Sequence, residues 1–278
     1  DLTPAAASAS LKRLERYLGA RLFVRSTRSQ RLSPAGEIYL QHCGQALQLL
    51  ADGQEAVVAG HRVVRGPLQL SIPSDLWRNV LLPWFDEFLD RYPDLQLRLQ
   101  VTDRLADVFR QPVDIALRYG DPPDARLVAI PMVPGNRRVL CASPAYLARC
   151  GEPKTPTALA THNCLCFMLG DYVHDRWRFF RDGLEESVQV RGNRLGDDGD
   201  TVRRWALAGH GIAYKSQLDI RRELQDGRLR ALCDEWQGER APLNLICADR
   251  HQLRPAVQLL RDFLLERFER LADAGSPG

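Results

Sequence analysis

The sequence lacks the features that mark several common classes of protein. No apolar run approaches the ~20 residues that a membrane helix needs, so we expect no membrane partner. The 278 residues contain no Gly-x-Ser-x-Gly elbow, no His-Glu-x-x-His pair, no P-loop and no glycine-rich dinucleotide fingerprint. These motifs mark common hydrolases, metalloproteases and nucleotide-binding enzymes. We therefore expect no catalytic residues, no metal site and no cofactor.

Cysteine is present but not in a pattern that forms disulfides or binds a metal. The seven cysteines are an odd number without paired spacing, which fits a reducing compartment, and we expect a cytoplasmic protein. Cys164 and Cys166 are separated by one residue, so on a strand both thiols would point to the same face. This spacing favours two packed thiols in a buried strand over a redox pair, which usually has two intervening residues.

Positive charge is concentrated at the start of the chain. The first 32 residues contain seven Lys or Arg and two acids, a net charge of +5, whereas the whole chain has a net charge of +3. The rest of the chain is therefore slightly acidic. A strongly basic module joined to a slightly acidic body predicts a polyanion partner for the module alone.

Residues 3–32 predict a helix followed by a two-stranded wing. Thr3 can cap the helix and Pro4 suits its first position, and Gly19 can end it just after Leu18. One helical face is apolar, and the other carries small and basic side chains that suit a phosphate surface. That second face comprises Ala5, Ala9, Lys12, Arg13 and Arg16. An ordinary amphipathic helix with a solvated basic face is the alternative.

This segment resembles the LysR-type transcriptional regulators. The resemblance is carried by residues 3–8 (TPAAAS), 14–15 (LE), 18–23 (LGARLF), 25, 28, 32 and 35–37 (AGE). It implies that residues 1–32 are the recognition helix and wing of a partial winged helix-turn-helix that binds double-stranded promoter DNA. The DNA-binding residues that it implies are Thr3, Pro4, Ser8, Ala9, Lys12, Arg13, Arg25, Thr27, Arg28 and Arg31.

The segment departs from the family pattern in three ways. Pro4-Ala5 stands where many members have Gln-Pro, and Ala9 stands where an Arg commonly follows the helix Ser. The resemblance also starts partway through the motif, so the first helix and most or all of the second would precede Asp1. We therefore expect these 278 residues alone to bind DNA poorly.

Residues 33–60 predict a long helix with a coiled-coil seam. Ser33 and Pro34 repeat the cap-and-proline start, and positions that step alternately by four and three form the seam. These positions are Gly36, Leu40, Cys43, Leu47, Leu50, Gln54 and Val57. The family resemblance implies a linker helix that pairs with its twin in a homodimer or homotetramer, whereas the alternative is a helix that packs on its own domain.

From residue 66 onward the chain predicts an α/β domain. Strands at 68–72, 95–101 and 113–117 alternate with helices at 75–92 and 103–111, which implies a parallel sheet with helices on its faces. A second unit contains strands at 164–168, 177–180 and 212–215 and a helix at 201–208. A strand at 243–248 is expected to cross back, so that the final helix at 255–271 packs on the first sheet.

Residues 66–278 resemble the two-subdomain, periplasmic-binding-protein-like effector domain of the same regulators. Residues 114–120 (DIALRYG) and 209–216 (GHGIAYKS) carry this second resemblance. The prediction places subdomain I at 66–140 and 248–271, and subdomain II at 141–247.

The predicted ligand site lies in the cleft between these subdomains, because ligands bind beyond the carboxyl ends of parallel strands. The candidate residues are Ser74, Asp75, Thr102, Asp103, Arg118, Lys215 and Ser216. Our hypothesis is a small organic anion held by Ser74, helix amides and one or both of Arg118 and Lys215. Asp75 and Asp103 oppose this hypothesis unless they pair with those cations. Arg118 has the alternative of an ion pair with Asp114 or Asp75.

The sequence thus predicts a LysR-type DNA-binding regulator that senses a small effector, with RNA polymerase as a further partner. A stand-alone binding protein of periplasmic type and an enzyme are the alternatives. The basic module and the long seam argue against the first, and the missing catalytic motifs argue against the second.

Overall fold

The computed structural model of the chain describes residues 3–25, 30–58, 64–104, 113–121, 127–169, 172–247 and 255–273. The chain forms two compact units, Asp1–Val63 and Val64–Gly278. Within the described ranges, no helix has the length and apolar character to cross a membrane.

The first unit contains two helices and a wing, as predicted. Helix α1 (Pro4–Leu18) begins where the Thr3 hydroxyl accepts a hydrogen bond from the Ala6 amide at 3.3 Å. It ends at Gly19, which takes the left-handed conformation with φ of 65°. Strands β1 (Phe23–Arg25) and β2 (Gln30–Leu32) pair antiparallel to form the wing. Helix α2 (Pro34–Val58) follows.

Buried polar contacts hold α1, the wing and α2 together. The Glu15 carboxylate accepts hydrogen bonds from the Leu22 amide at 2.8 Å and the Phe23 amide at 3.3 Å. The Ser33 hydroxyl donates to the Arg21 carbonyl at 2.5 Å and accepts from the Gly36 amide at 3.0 Å. Gly36 lies so close to the wing that a Cβ atom there would overlap the Leu22 carbonyl. The basic helix and the wing are therefore one rigid surface.

The second unit contains two main sheets, each in its own subdomain, and a smaller third sheet. The first sheet has the strand order β4-β3-β5-β16-β6. Its strands are β3 (Gly66–Ile72), β4 (Leu95–Val101), β5 (Ile115–Tyr119), β6 (Val128–Val133) and β16 (Leu243–Cys247). Between β3 and β4 the chain forms α3 (Ser74–Leu76), a π-helical turn (Trp77–Leu81) and α4 (Leu82–Arg91). The last helix, α8 (Pro255–Asp273), shares a core with this sheet that includes Leu70, Phe85, Phe88 and Leu264.

The second sheet has the strand order β12-β8-β13-β7-β14, with β9 paired to β8. Its strands are β7 (Arg138–Ala142), β8 (Cys164–Leu169), β9 (Tyr172–His174), β12 (Arg194–Gly196), β13 (Ile212–Ser216) and β14 (Arg230–Ala231). A smaller sheet contains β10 (Arg176–Arg181), β11 (Leu184–Gln189) and β15 (Gln237–Gly238). The helices are α5 (Pro144–Cys150), a 3-10 helix (Pro156–Thr161), α6 (Gly199–Leu207) and α7 (Gln217–Gln225).

The strand predicted at 243–248 does return to the first sheet, but the strand pairing places both subdomain boundaries a few residues before the predicted 140 and 248. Strand β7, from residue 138, pairs with β13 in the second sheet. Strand β16, from residue 243, pairs with β5 and β6 in the first sheet. Subdomain I therefore ends before 138 and resumes by 243, because strand pairing and not hydrophobicity sets these boundaries. The two crossing segments touch each other, since the Ala241 amide donates to the Asn136 carbonyl at 2.9 Å.

Other predictions for this unit need correction. The first sheet is not wholly parallel, because β16 runs antiparallel to both of its neighbours. Strands β6, β7 and β11 and helix α7 were not predicted. The predicted helix at 103–111 falls mostly on residues 105–112, outside the described part of the chain.

The thiols of Cys164 and Cys166 are packed in a core, as the spacing favoured. Both residues lie on β8 in the same apolar cluster as Trp177. Burial raises the pKa of Cys164 to about 12. A thiol with this pKa holds its proton at neutral pH and reacts slowly, which argues against a redox pair.

Candidate functional site

The first unit presents an exposed polar and basic face. The predicted DNA-binding residues that are exposed are Thr3, Ser8, Ala9, Lys12, Arg13 and Arg31. The side chains of Pro4 and Arg25, and residues Thr27 and Arg28, lie outside the described part of the structure. The contacts of the wing tip with DNA therefore remain predictions.

The charge of this face is not neutralised within the helix. Glu15 is the acid of α1, and its carboxylate binds the Leu22 and Phe23 amides. Lys12, Arg13 and Arg16 are exposed and make no ion pair with the described residues. Such cations can bind phosphates and release the counterions of DNA.

In the second unit, four of the predicted effector residues meet between the subdomains. The Ser74 hydroxyl donates to the Asp103 carboxylate at 2.5 Å. The same carboxylate accepts from the Gly199 amide of subdomain II at 3.0 Å. Asp75, next to Ser74, lies 2.6 Å from the ammonium group of Lys215 on β13. Ser74, Asp75, Asp103 and Lys215 thus form part of one network.

A second cation completes this network from α6. The Arg203 guanidinium lies 3.0 Å from Asp75, 2.8 Å from Asp200 and 2.7 Å from Glu223. All four side chains are almost fully buried. Asn79 donates to Asp75 at 2.6 Å and to Asp200 at 3.0 Å. We call Ser74, Asp75, Asn79, Asp103, Asp200, Arg203, Lys215, Asp219 and Glu223 the inter-subdomain network.

Charge pairing offsets the cost of burying these groups. Burial alone would lower the pKa of Lys215, but the surrounding carboxylates, Asp75 foremost, together outweigh burial and raise it. Burial alone would raise the pKa of Asp200, but hydrogen bonds from Asn79, Arg203 and Arg204 lower it. Lys215 and Asp200 therefore remain charged at neutral pH.

Burial raises the pKa of two carboxyl groups in the network, Asp75 and Asp219. Burial, and then the neighbouring Asp75 carboxylate, raise the pKa of Asp219 to about 8. Its carboxyl group accepts a hydrogen bond from the Tyr119 hydroxyl of subdomain I at 2.5 Å. Asp219 is therefore mostly protonated at pH 7 and adds little negative charge.

The other three predicted effector residues form hydrogen bonds with residues outside the inter-subdomain network. The Arg118 guanidinium donates to the Ser71 carbonyl at 3.0 Å, the Ser71 hydroxyl at 2.6 Å and the Leu117 carbonyl at 2.6 Å. The Ser216 hydroxyl accepts from the Asn136 amide group at 3.0 Å. The Thr102 hydroxyl accepts from the Arg104 amide at 3.2 Å. The effector roles of these three residues remain predictions.

Sequence reasoning missed Arg203, Asn79, Asp219 and Glu223. The position of Arg203 in the sequence does indicate burial. It follows Val202 on α6 and lies about one turn before Ala206, and both of these residues are buried. A charged residue at such a helix position needs a buried partner. Asp219 and Glu223 lie on α7, a helix that was not predicted, so their shared face could not be recognised.

The network can act as a clamp between the subdomains, because Asp75 of one subdomain pairs with Lys215 and Arg203 of the other. Its cations are already neutralised by carboxylates, so an anion that enters must compete with Asp75 for Lys215 and Arg203. Among the described residues, no group of three or more His, Cys, Asp and Glu side chains is placed to hold a metal ion.

The sequence matches two known families over most of its length. Residues 61–269 match the LysR substrate binding domain. Residues 1–37 match the bacterial regulatory helix-turn-helix proteins of the lysR family.

Relatives and solved structures agree with these matches. The chain is 35% identical over 280 residues to a probable HTH-type transcriptional regulator, LtrA, of Klebsiella pneumoniae, covering 99% of this chain and 89% of the relative. It is 29% identical to the HTH-type transcriptional activator TtdR of Escherichia coli, covering 84% of this chain and 75% of TtdR. CrgA, a LysR-type transcriptional regulator from Neisseria meningitidis, is 27% identical with a TM-score of 0.67, covering 96% of this chain and 90% of CrgA.

Replacing Asp219 with Asn should reduce the pH dependence of stability. The pKa of Asp219 is about 8 in the folded protein and about 4 in the unfolded chain. The contribution of Asp219 to the stability of the folded protein is therefore complete below pH ~4 and is lost as pH rises towards ~8. Between pH 5.5 and 7.5, the free energy of unfolding, measured with urea, should fall as pH rises in the unchanged protein. For Asp219→Asn we expect this fall to be smaller by up to ~1.4 kcal/mol per pH unit.

The matched control for this measurement is Asp182→Asn, since the Asp182 side chain is 91% exposed. It should reproduce the pH dependence of the unchanged protein. Equal slopes for Asp219→Asn and the unchanged protein would contradict the protonated state of Asp219.

Proposed function

The chain belongs to the LysR family of DNA-binding transcriptional regulators, and we propose that it senses a small organic anion in the cleft between its two subdomains. The family matches place it among regulators and not among enzymes. The match of residues 1–37 to a helix-turn-helix family also overturns the alternative of a stand-alone binding protein. We propose that it acts in the cytoplasm, where promoter DNA lies, with RNA polymerase as a further partner.

The exposed basic face of α1 supports our proposal for the DNA contacts. Ala9 and Ser8 are small enough to allow close approach to the duplex, and Lys12 and Arg13 lie on the same exposed helix. Phosphate contacts fix the position of a protein on DNA, whereas base contacts give sequence specificity. We propose Lys12, Arg13 and Arg31 as phosphate contacts, with Arg25, Thr27 and Arg28 extending them along the wing. Thr3, Pro4, Ser8 and Ala9 would meet the groove.

The Asp75 carboxylate is the single observation that carries the anion proposal. It lies between two buried cations, 2.6 Å from Lys215 and 3.0 Å from Arg203. A carboxylate is therefore the group that these cations bind within the protein itself. A carboxylate effector could replace Asp75 there, helped by the Ser74 hydroxyl and by the Gly199 amide at the start of α6.

Replacement of Asp75 would link effector binding to the arrangement of the subdomains. Asp75 belongs to subdomain I, whereas Lys215 and Arg203 belong to subdomain II. An effector that binds the cations would remove their direct link to Asp75. The resulting shift is limited by the difference in effector affinity between the two arrangements.

The seam of α2 supports a homodimer, or a homotetramer built from such dimers. LysR regulators form oligomers, and the described seam residues Leu40, Leu47 and Leu50 are 58%, 67% and 66% exposed. Apolar side chains at coiled-coil spacing can be buried by a second copy of the helix. We therefore propose that α2 pairs with α2 of another chain.

Calorimetric titration should distinguish a carboxylate effector from a neutral one. We expect at least one acid from a panel that includes succinate and benzoate to bind, and its neutral amide to bind at least about tenfold more weakly. Asp75→Asn should tighten carboxylate binding because it removes the internal competitor. Lys215→Met should weaken it.

The control for Lys215→Met is Lys154→Met, because the Lys154 side chain is 81% exposed. Circular dichroism would establish that each variant is folded. Heat from neutral or cationic ligands alone, or weaker carboxylate binding by Asp75→Asn, would contradict the anion proposal.

Replacing Lys12 and Arg13 together with Ala should weaken DNA binding at all sequences. Loss of two phosphate contacts should reduce the slope of log affinity against log salt by about 2. Fluorescence anisotropy over a salt series would measure it, with Arg176→Ala, an exposed arginine of the second unit, as the control. An unchanged slope would show that these cations do not contact phosphates.

Replacing Leu47 and Leu50 with Asp should separate the proposed dimer, because four charges would face each other in the seam. The control Gln41→Asp with Gln45→Asp adds the same charges at positions about half a turn away on α2. Light scattering should give a reduced mass for the seam variant alone. An unchanged mass would refute pairing through this seam.

A further inference from the structure

A cavity of about 740 Å³ lies apart from the inter-subdomain network, between α7, α8 and the end of β6. Ligand sites in proteins commonly have volumes of ~300–1,000 Å³. Its wall is largely apolar, and the side chains that form it include Met132, Leu224, Leu265, Phe268 and Leu271. The cavity can therefore hold an apolar body of drug-like size.

One cation in this wall has no partner. Arg221 of α7 lines the cavity, and its Nη2 atom is buried without a hydrogen-bond acceptor in the described part of the chain. A buried donor without an acceptor destabilises the folded protein, and more so when the group is charged. An anionic group in the cavity would supply the missing acceptor.

The other polar groups of the wall do not satisfy Arg221. The Asn136 side chain already donates to the Ser216 hydroxyl at 3.0 Å and the Ala241 carbonyl at 2.6 Å. It also accepts from the Leu218 amide at 3.1 Å. Glu269 is exposed and makes no ion pair with Arg221. Because water screens an exposed charge more than a buried one, Glu269 opposes an anion less than Arg221 attracts it.

We propose that this cavity is a second ligand site, which binds an amphipathic organic anion with its charged group at Arg221 and its apolar body against α8. The proposal is independent of the anion proposed for the cleft. An amphipathic anion fits this cavity, because the wall combines the Arg221 guanidinium with aliphatic and aromatic side chains.

The position of the cavity gives a ligand there a means of regulation. The wall includes Asn136, so the cavity borders one of the two segments that connect the subdomains, and this segment contacts the other at Ala241. It also contains residues of subdomain I on α8 and of subdomain II on α7. A ligand that contacts both subdomains would favour the arrangement in which both contacts are made.

Calorimetry on the whole protein tests this proposal with octanoate and 1-naphthoate, which distinguish an aliphatic from an aromatic body. We expect one or both to bind with 1:1 stoichiometry. Octanamide, 1-naphthamide and acetate should bind at least about tenfold more weakly. Arg221→Met, which keeps much of the volume and removes the charge, should weaken binding of the anion by about tenfold or more.

Three further variants locate the site. Arg222→Met is the matched control, since Arg222 is adjacent on α7 and its side chain is 84% exposed, and it should leave affinity unchanged. Ala272→Trp should fill the cavity and reduce binding. Lys215→Met removes a cation of the cleft and reports whether the probes bind there instead of in the cavity.

Several results would overturn the proposal. Equal affinity for octanoate and octanamide, or unchanged binding by Arg221→Met, would show that no anion binds at Arg221. Loss of binding in Lys215→Met alone would place the probes in the cleft. A lower assembly mass for Ala272→Trp would show that a second copy of the chain covers the cavity.

Discussion

The structure of the second unit depends on the buried carboxylate of Asp75. It lies between Lys215 and Arg203, and all three side chains are nearly removed from water. Removing ions from water costs several kcal/mol per ion unless pairing compensates. Separation of the subdomains would leave Asp75 on one side and both cations on the other. The subdomains can therefore separate only where water or a ligand replaces these partners.

The same constraint explains the composition of the network around Asp75. Arg203 binds Asp200 and Glu223 as well as Asp75, and Arg204 and Arg228 contribute outer contacts at 2.7 Å to Asp200 and 3.0 Å to Glu223. A further ionised carboxylate beside Asp75 would be repelled by it. Asp219 avoids this because its pKa of about 8 keeps it mostly protonated. Protonation thus limits the repulsion between carboxyl groups in the closed cleft.

The sequence was sufficient for features that local patterns determine, but not for those set by distant contacts. The Thr3-Pro4 start, the stop at Gly19 and the strand at 95–101 were predicted because capping, backbone conformation and alternation are local. Ser74, Asp75, Asp103 and Lys215 were placed together because strand ends converge. The partners of Arg118 could not be predicted, because Ser71 is on a neighbouring strand. Arg203 was missed because two of its partners, Asp75 and Glu223, lie 128 and 20 positions away.

Helix α7 connects the two proposed ligand sites. Asp219 and Glu223 lie on the face that joins the inter-subdomain network, whereas Leu218, Arg221 and Leu224 lie on the face that lines the cavity. Helical geometry separates these two sets by roughly half a turn. A small displacement of α7 would therefore alter the contacts of both sites. If ligands at the two sites favour different positions of this helix, each would weaken binding of the other by the same factor, since equilibrium coupling is reciprocal.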